Sequence, residues 1–315
     1  GTVLDAEGYD AATRLFYAPA PDLHVPPVPA RPTAAQIAAA RDLLLDELLG
    51  DFPFADQASR AGALALLLTP ILRPALRGCV PLALVDSPSA GTGKTFLTSV
   101  IATVATGRGA ALLPSPRDDA EIEKRVFALL AEGATFIVLD NLEGDLAAPS
   151  LAVALTATTF AGRVLGESRT LALPQRATWA ATGNNVTLRG DLPRRCYWVR
   201  LDAECVQPWR RTNFRHRDLL GWAADHRGEL LAALLTLARA WWAAGKPRPD
   251  AAPFGSFERW AEAVGGILQL ADVPGATRIG LDAIGTLLHD QGALPAVRAA
   301  EEIVTAEVSG YLTAR

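Results

Sequence analysis

The rhythm of apolar and polar positions changes twice along the chain. Residues 34–49 are apolar with Arg41, Asp42, Asp46 and Glu47 interspersed, Thr33 and Gln36 stand at capping-box spacing, and Gly50 supplies a stop, so this stretch predicts a helix. Asp56 to Leu68 predicts a second helix, closed at Thr69 because Pro70 follows. From Pro81 short, wholly apolar runs alternate with helix-like segments: 82–85 then 95–106, 110–113 then 119–131, 135–139 then 150–160, and finally the runs 178–182 and 196–201. Strands that are apolar on both faces and separated by helices indicate a parallel sheet covered on both sides, an α/β unit over about residues 80–202. Beyond it the pattern is all-helical: 218–244, 256–270, and shorter segments from Leu281 and Leu294. Pro19, Pro21, Pro26, Pro27, Pro29 and Pro32 forbid a continuous helix or central strand near the start and predict a linker.

Composition narrows the function classes. The 315 residues are 50% hydrophobic and 20% charged, a globular balance, and the net charge of −4 excludes coating of nucleic acid by bulk positive charge. Any nucleic-acid contact is therefore local. Cys79, Cys196 and Cys205 are an odd number without CxxC spacing, and the four histidines form no metal-binding pattern, so the expectation is a reducing, cytoplasmic setting with neither disulfide framework nor zinc site. The longest uncharged stretch, 146–162, is too short to span a bilayer, and no basic-then-apolar signal opens the chain, so no membrane association is expected. A start at Gly1 and the absence of methionine suggest a piece of a longer polypeptide.

The strongest chemical signal is Asp86-Ser-Pro-Ser-Ala-Gly-Thr-Gly-Lys-Thr95, between an apolar strand and a helix. Phosphates require this arrangement: consecutive backbone N–H groups, freed to point inward by Gly91 and Gly93, wrap the anion while the helix N-terminus adds positive potential. The binding stretch is Ser89, Ala90, Gly91, Thr92, Gly93, Lys94, Thr95 and Phe96, with Lys94 reaching the β and γ phosphates of ATP and Thr95 holding Mg²⁺. Pro88 stands where GxxxxGK[ST] has its first glycine. Such a loop needs a second carboxylate for the metal, and Thr135-Phe-Ile-Val-Leu-Asp140 ends an apolar run in Asp140. Asn141 follows instead of the usual glutamate, which leaves Glu143, ahead of Asp145, as the candidate base; the alternative is a solvated Glu143 in a loop. The run 176–185 ends in Asn184 and Asn185, which can hold a lytic water or touch the γ phosphate, or serve a left-handed turn. Arg194 and Arg195, just before the last apolar run, are candidates for an arginine finger entering a neighbouring subunit, and equally for surface ion pairs.

The series SPSAGTGKT, FIVLDNLEG, ATWAATGNN and GDLPRRCYWVRLD, in that order, resembles the AAA+ ATPase domain of replication proteins from phages, plasmids and integrated elements, akin to superfamily three and MCM-like helicase motors. The resemblance covers about residues 51–260, and 8–17 resembles the junction to upstream domains. It implies an AAA+ P-loop sheet of five strands with N-terminal helices and a C-terminal all-helical lid: 1–32 as junction and linker, 33–205 as N-terminal helices plus ATPase core, 206–315 as lid and C-terminal segment. It further implies ATP and Mg²⁺, a homo-oligomer in a hexameric ring, single-stranded DNA as partner, and an upstream primase-type domain. Lys94 and Thr95 become the Walker A pair, Asp140 the Walker B aspartate, Asn184 or Asn185 the first sensor, Arg194 or Arg195 the trans finger, and Arg227 a candidate second sensor.

Two features bear on nucleic acid. Arg163-Val-Leu-Gly-Glu-Ser-Arg169 with Thr170–Leu173 predicts a small hairpin turning at Gly166, at the place where the related helicases carry a DNA-gripping insertion; an ordinary surface hairpin is the other reading. Eight arginines lie between Arg189 and Arg217, with Trp209 and Phe214 interleaved, a mixture suited to phosphates and bases or to a subunit interface and lid hinge. Trp241 and Trp242 fall in a long apolar helix and read as core. The expected function is an ATP-hydrolysing helicase or translocase. The alternatives are a non-translocating ATPase switch with slow hydrolysis, suggested by Asn141, and a P-loop kinase, against which the 190–195 motif argues.

Overall fold

The computed structural model describes residues 3–279 apart from 5, 115–117, 165–168 and 251–253. A short antiparallel hairpin opens it, β1 (Gly8–Asp10) and β2 (Leu15–Tyr17), its turn held by Thr13 donating from N–H and Oγ1 to the Asp10 carboxylate. Helix α1 (Ala34–Asp42) begins at the predicted capping box, with Thr33 and Gln36 each bonding the other's backbone, and continues as a π-helical turn, Leu43–Leu48. Helix α2 runs Gln57–Leu72, capped by Asp56. Pro70 does not end it, as the sequence predicts, but lies inside its last turn. The proline deprives α2 of one backbone donor near its end, while the residues from Ala61 to Thr69 are all buried; packing outweighs that local loss.

The central sheet has five parallel strands: β3 (Leu82–Ser87), β4 (Ala111–Pro114), β5 (Phe136–Leu146), and, after the hairpin β6 (Thr159–Arg163) and β7 (Thr170–Pro174), β8 (Thr178–Leu188) and β9 (Cys196–Arg200). Their spatial order is β4-β5-β8-β3-β9, so β8 separates the strand ending in Asp140 from the strand feeding the glycine-rich loop. Helices α3 (Lys94–Thr106), α4 (Asp119–Ala131) and α5 (Pro149–Thr156) alternate with the strands, as the apolar runs predict. The helix expected over 150–160 stops at Thr156. Ala157 turns extended, and the β-branched Thr158–Thr159 pair leads into β6. The predicted hairpin is present as β6–β7, with five paired residues on each arm; its turn at Gly166 lies outside the described residues.

The helix expected over 218–244 is two, α6 (Leu219–Asp225) and α7 (Arg227–Ala243). They break at His226, whose backbone N–H and ring Nδ1 both reach the Trp222 carbonyl, ending α6, while the Arg227 side chain is held elsewhere. The segments expected from Leu281 and Leu294 lie outside the described residues. Helix α7 packs along α1 and touches α2 and α3, and the proline-rich segment crosses it where Gly228 leaves room for the His24 carbonyl. Trp241 is core, whereas Trp242 is half-buried. Among the described residues no helix is long and apolar enough to cross a membrane.

A helical stretch at 258–270 closes the core: Trp260 stacks on Tyr197 of β9 at 5.2 Å and donates its indole N–H to Thr69 Oγ1 of α2 at 2.8 Å. This bond joins the C-terminal helices to the sheet's covering helix between two buried residues. Thr69→Val keeps the shape and orphans the indole N–H, so urea unfolding is expected to lose about 1–3 kcal/mol.

Candidate functional site

The carboxyl ends of β3, β8 and β5 converge on the start of α3. Gly91 and Gly93 sit at φ 77° and 95°, in the left-handed region open to glycine, and Gly93 caps α3 without a side chain, leaving the helix's first N–H groups facing the loop. Pro88 is accommodated because the tight bends fall at Gly91 and Gly93; its carbonyl accepts from Asn185 Nδ2 at 3.3 Å. Lys94 folds back beneath the loop, its Nζ donating to Asn184 Oδ1 at 2.7 Å and to the Ser89 carbonyl at 3.2 Å. Burial pulls the Lys94 pKa below the ordinary lysine value, an effect the charge of Asp86 opposes.

Asp140 organises the neighbouring strand. Its Oδ1 accepts from Thr95 Oγ1 at 2.8 Å and from Thr182 Oγ1 at 2.7 Å, and Thr182 in turn accepts from the Asn141 backbone N–H at 2.9 Å. Two register shifts between β5 and β8 make this possible. Asp140 and Asn141 together oppose Thr182, with Asn141 at φ 56°, and three residues on Asn185 and Val186 together oppose Gly144. The first shift turns Asp140 toward α3 and sets Asn184 opposite Glu143; the second sends Asn185, at φ 50°, to the loop carbonyl.

The predicted residues therefore separate. Lys94 bonds Asn184 and Thr95 bonds Asp140, and Glu143 is exposed on β5 in register with Asn184, on strand rather than loop. Asn185 anchors the loop in a left-handed conformation. Arg194 makes a two-pronged pair with Asp191, at 3.0 and 2.9 Å, and remains 58% exposed; Arg195 is 13% exposed and donates into its own chain, to Ala152 O and to Thr156 Oγ1. Arg227 donates to Val104 O, ten residues along α3 from Lys94 and so about 15 Å from the loop, and is engaged there rather than at the phosphate cradle. Most of the arginine cluster is paired within the chain: Arg189 with Asp145, Arg211 with the Asp51 carbonyl, Arg215 with Asp46 O and Glu47.

Sequence reading missed three contributions. Thr182, buried and two residues before Asn184, orients Asp140; its signal is only a polar residue ending an apolar strand. Asp86 lies under the loop, buried, with Oδ1 accepting from the Val186 N–H at 3.1 Å. Trp209 and Phe214, 62% and 43% exposed, join Phe52 and Phe96 in walling a cavity of about 270 Å³ beside Gly91 and Thr92. Arg211 lies over the Phe214 ring at 5.4 Å, and its bond to Asp51 ties this wall to the α1–α2 connection.

The residues fit a nucleoside triphosphate with its metal. A glycine-lined cradle at a helix N-terminus suits phosphates, a hydroxyl and a carboxylate at 2.8 Å suit Mg²⁺, and an aromatic cavity adjoins the cradle.

No family model matches the chain and no curated protein is similar to it. Among solved structures it is similar to the apo form of the NrS-1 C-terminal region, at 17% identity and a TM-score of 0.45, covering 69% of this chain and 48% of that one. A JCV helicase bound to a substituted acetamide matches at 15% identity and a TM-score of 0.30, covering 76% and 67%. The chain thus spans about half the length of the first, at 48%. Likenesses of this size assign no activity, and the functional reading rests on the site.

Burial raises the Asp86 pKa above 3.8, outweighing the Val186 and Ser87 backbone bonds and the charges of Lys94 and Arg200. A carboxyl whose folded pKa is raised costs stability when ionised; that cost is complete above the folded pKa and fades as pH falls through it toward 3.8. Asp86→Asn, which keeps the acceptor for Val186, is expected to raise Tm at pH 7 by about 2 °C, with the gain shrinking toward pH 4 in differential scanning calorimetry.

Proposed function

We propose that the chain is an ATP-hydrolysing AAA+ motor that acts on DNA, the helicase or translocase part of a mobile-element replication protein. The observation that supports this reading is two neighbouring bonded groups, Lys94 with Asn184, and Thr95 and Thr182 with Asp140, at the carboxyl end of a parallel sheet. In this reading they are the phosphate-, water- and metal-directed groups.

In this reading the backbone N–H groups from Ser89 to Gly93 wrap the phosphates, and Lys94 exchanges Asn184 Oδ1 and Ser89 O for β and γ oxygens. Asn184, released from Lys94, orients the attacking water, and Glu143 beside it takes the water's proton. Thr95 Oγ1 and Asp140 would hold Mg²⁺, which would supply neutralisation of phosphate charge. The aromatic cavity of Phe52, Phe96, Trp209 and Phe214 takes the adenine, whose flat apolar faces match its walls. Arg194 is the finger for a neighbouring subunit of a hexameric ring: it is exposed and leaves only an exposed Asp191, whereas Arg195 is bound into its own α5. The β6–β7 hairpin is the contact for single-stranded DNA, in a cytoplasmic protein that also carries an upstream primase-type domain.

A non-translocating ATPase switch is the second reading. It is favoured by Asn141, which replaces an acidic residue after Asp140 and turns its backbone into the Thr182 bond.

Steady-state ATP hydrolysis with and without single-stranded DNA decides between them, with Lys94→Ala as the blank. A Lys94-dependent rate raised severalfold by DNA is the expected result; a slow rate indifferent to DNA in an assembled ring rejects the motor for the switch. Arg194→Ala is expected to lower turnover at least about 10³-fold with ATP affinity retained, as for loss of a trans arginine. Arg195→Ala instead is expected to lower Tm.

A further inference from the structure

A second cavity lies at the opposite, amino-terminal edge of the sheet. It holds about 910 Å³, within the size range of small-molecule sites, and is bounded by the β1–β2 hairpin, the 71–78 connection into β3, the 174–176 connection into β8, and α7. From Thr178 at that edge to Asn184 at the candidate nucleotide site, β8 advances six residues, about 20 Å. The two sites are separate.

The chemistry of its wall is one-sided. Arg73, Arg77, Arg176 and Arg239 line it, and no carboxylate does among the described lining residues. Arg239 is engaged with the Val28 carbonyl at 3.2 Å. Arg73 is the informative one, only 8% exposed. Its terminal nitrogens reach the carbonyls of Leu76 and Gln175 only at 3.4 and 3.5 Å, and its buried Nε has no partner. Gln175 is fixed in turn by bonds to Ala154 and Ala177, so the surface under Arg73 is rigid. Burial depresses the guanidinium's pKa, against the opposing effect of the neighbouring Cys79, and Arg176 adds like-charge repulsion. A buried cation without an anion is costly, and an anion entering the cavity offsets that cost. The lining also includes apolar and aromatic side chains, among them Leu15, Tyr17, Leu235 and Trp242.

We propose that this cavity is a second ligand site, for an organic phosphate of nucleotide size. The phosphate sits among Arg73, Arg77 and Arg176, where three guanidiniums match a dianion, and the ring lies against Tyr17 and Trp242. A free mononucleotide and the phosphorylated end of a nucleic-acid strand present this same group. The assignment does not depend on ATP binding at the glycine-rich loop.

The test is isothermal titration calorimetry on the full chain carrying Lys94→Ala, with Trp209→Ala added in a second protein to identify any binding at the aromatic cavity beside the loop. The probes are AMP, adenosine, and oligothymidylate with and without a 5′ phosphate. Saturable AMP binding at least tenfold tighter than adenosine is expected and marks a free nucleotide. Binding of the phosphorylated oligonucleotide alone supports the site equally and marks a strand end. Arg73→Met and the surface pair Arg77→Ala with Arg176→Ala are each expected to weaken binding at least tenfold, and Trp209→Ala, in the other cavity, to leave it unchanged. Without ligand, Arg73→Met is expected to melt higher, because it removes an unpaired buried charge. No saturable binding of either phosphate probe, equal binding of the phosphate-free probes, or affinity indifferent to the surface arginine pair overturns the proposal. So does an Arg73→Met protein that melts lower and binds as before, which makes Arg73 a structural tether.

Discussion

One carboxylate oxygen holds the carboxyl edge of the sheet together. Asp140 Oδ1 receives the hydroxyls of Thr95, on the helix after the glycine-rich loop, and of Thr182, on the strand between the loop strand and its own. Charge-assisted bonds at 2.8 and 2.7 Å on a half-buried acceptor are stronger than neutral ones, and they tie α3, β8 and β5 into one unit. Regular parallel pairing would not turn Asp140 to this position; the extra residue at Asp140–Asn141 does, and its left-handed Asn141 is steadied by the bond into Thr182. The compensating shift at Asn185–Val186 restores the register and turns its own left-handed residue to use, as the bond to Pro88.

The charges beneath this edge are in opposition. Burial disfavours the ionised forms of both Lys94 and Asp86, which partly stabilise each other. Lys94 spends its donors on Asn184, Ser89 and Thr92, groups that an incoming anion can replace. A site of this kind is arranged for negative charge before any arrives, and strain in the supporting strand is the cost of that preorganisation.

The sheet is also electrically asymmetric along its strands. At the carboxyl edge the cation is buried with an acid nearby, whereas at the amino edge Arg73 is buried beside Arg176 with no lining carboxylate among the described residues. A net charge of −4 conceals both, because each is a local arrangement of a few side chains brought together by strand ends.

How much was legible in the sequence follows from the range of the interactions. The apolar runs predicted the five parallel strands, since a strand buried on both faces must be apolar throughout, and the capping-box residues predicted α1 through bonds spanning three residues. The loop around Gly91 and Gly93 was legible for the same reason, because positive φ and helix-end donors are local properties. Pro70 misled because burial of α2 against the rest of the fold, not its own propensity, set its length. The separation of Asn184 from Asn185, and of Arg194 from Arg195, needed strand register and the packing of α5, which adjacent identical residues cannot announce. Thr182, Asp86, the aromatic cavity and the arginine-lined one were invisible beforehand: their partners stand from 42 to 211 residues apart, and only the folded chain decides which distant side chains share a desolvated space.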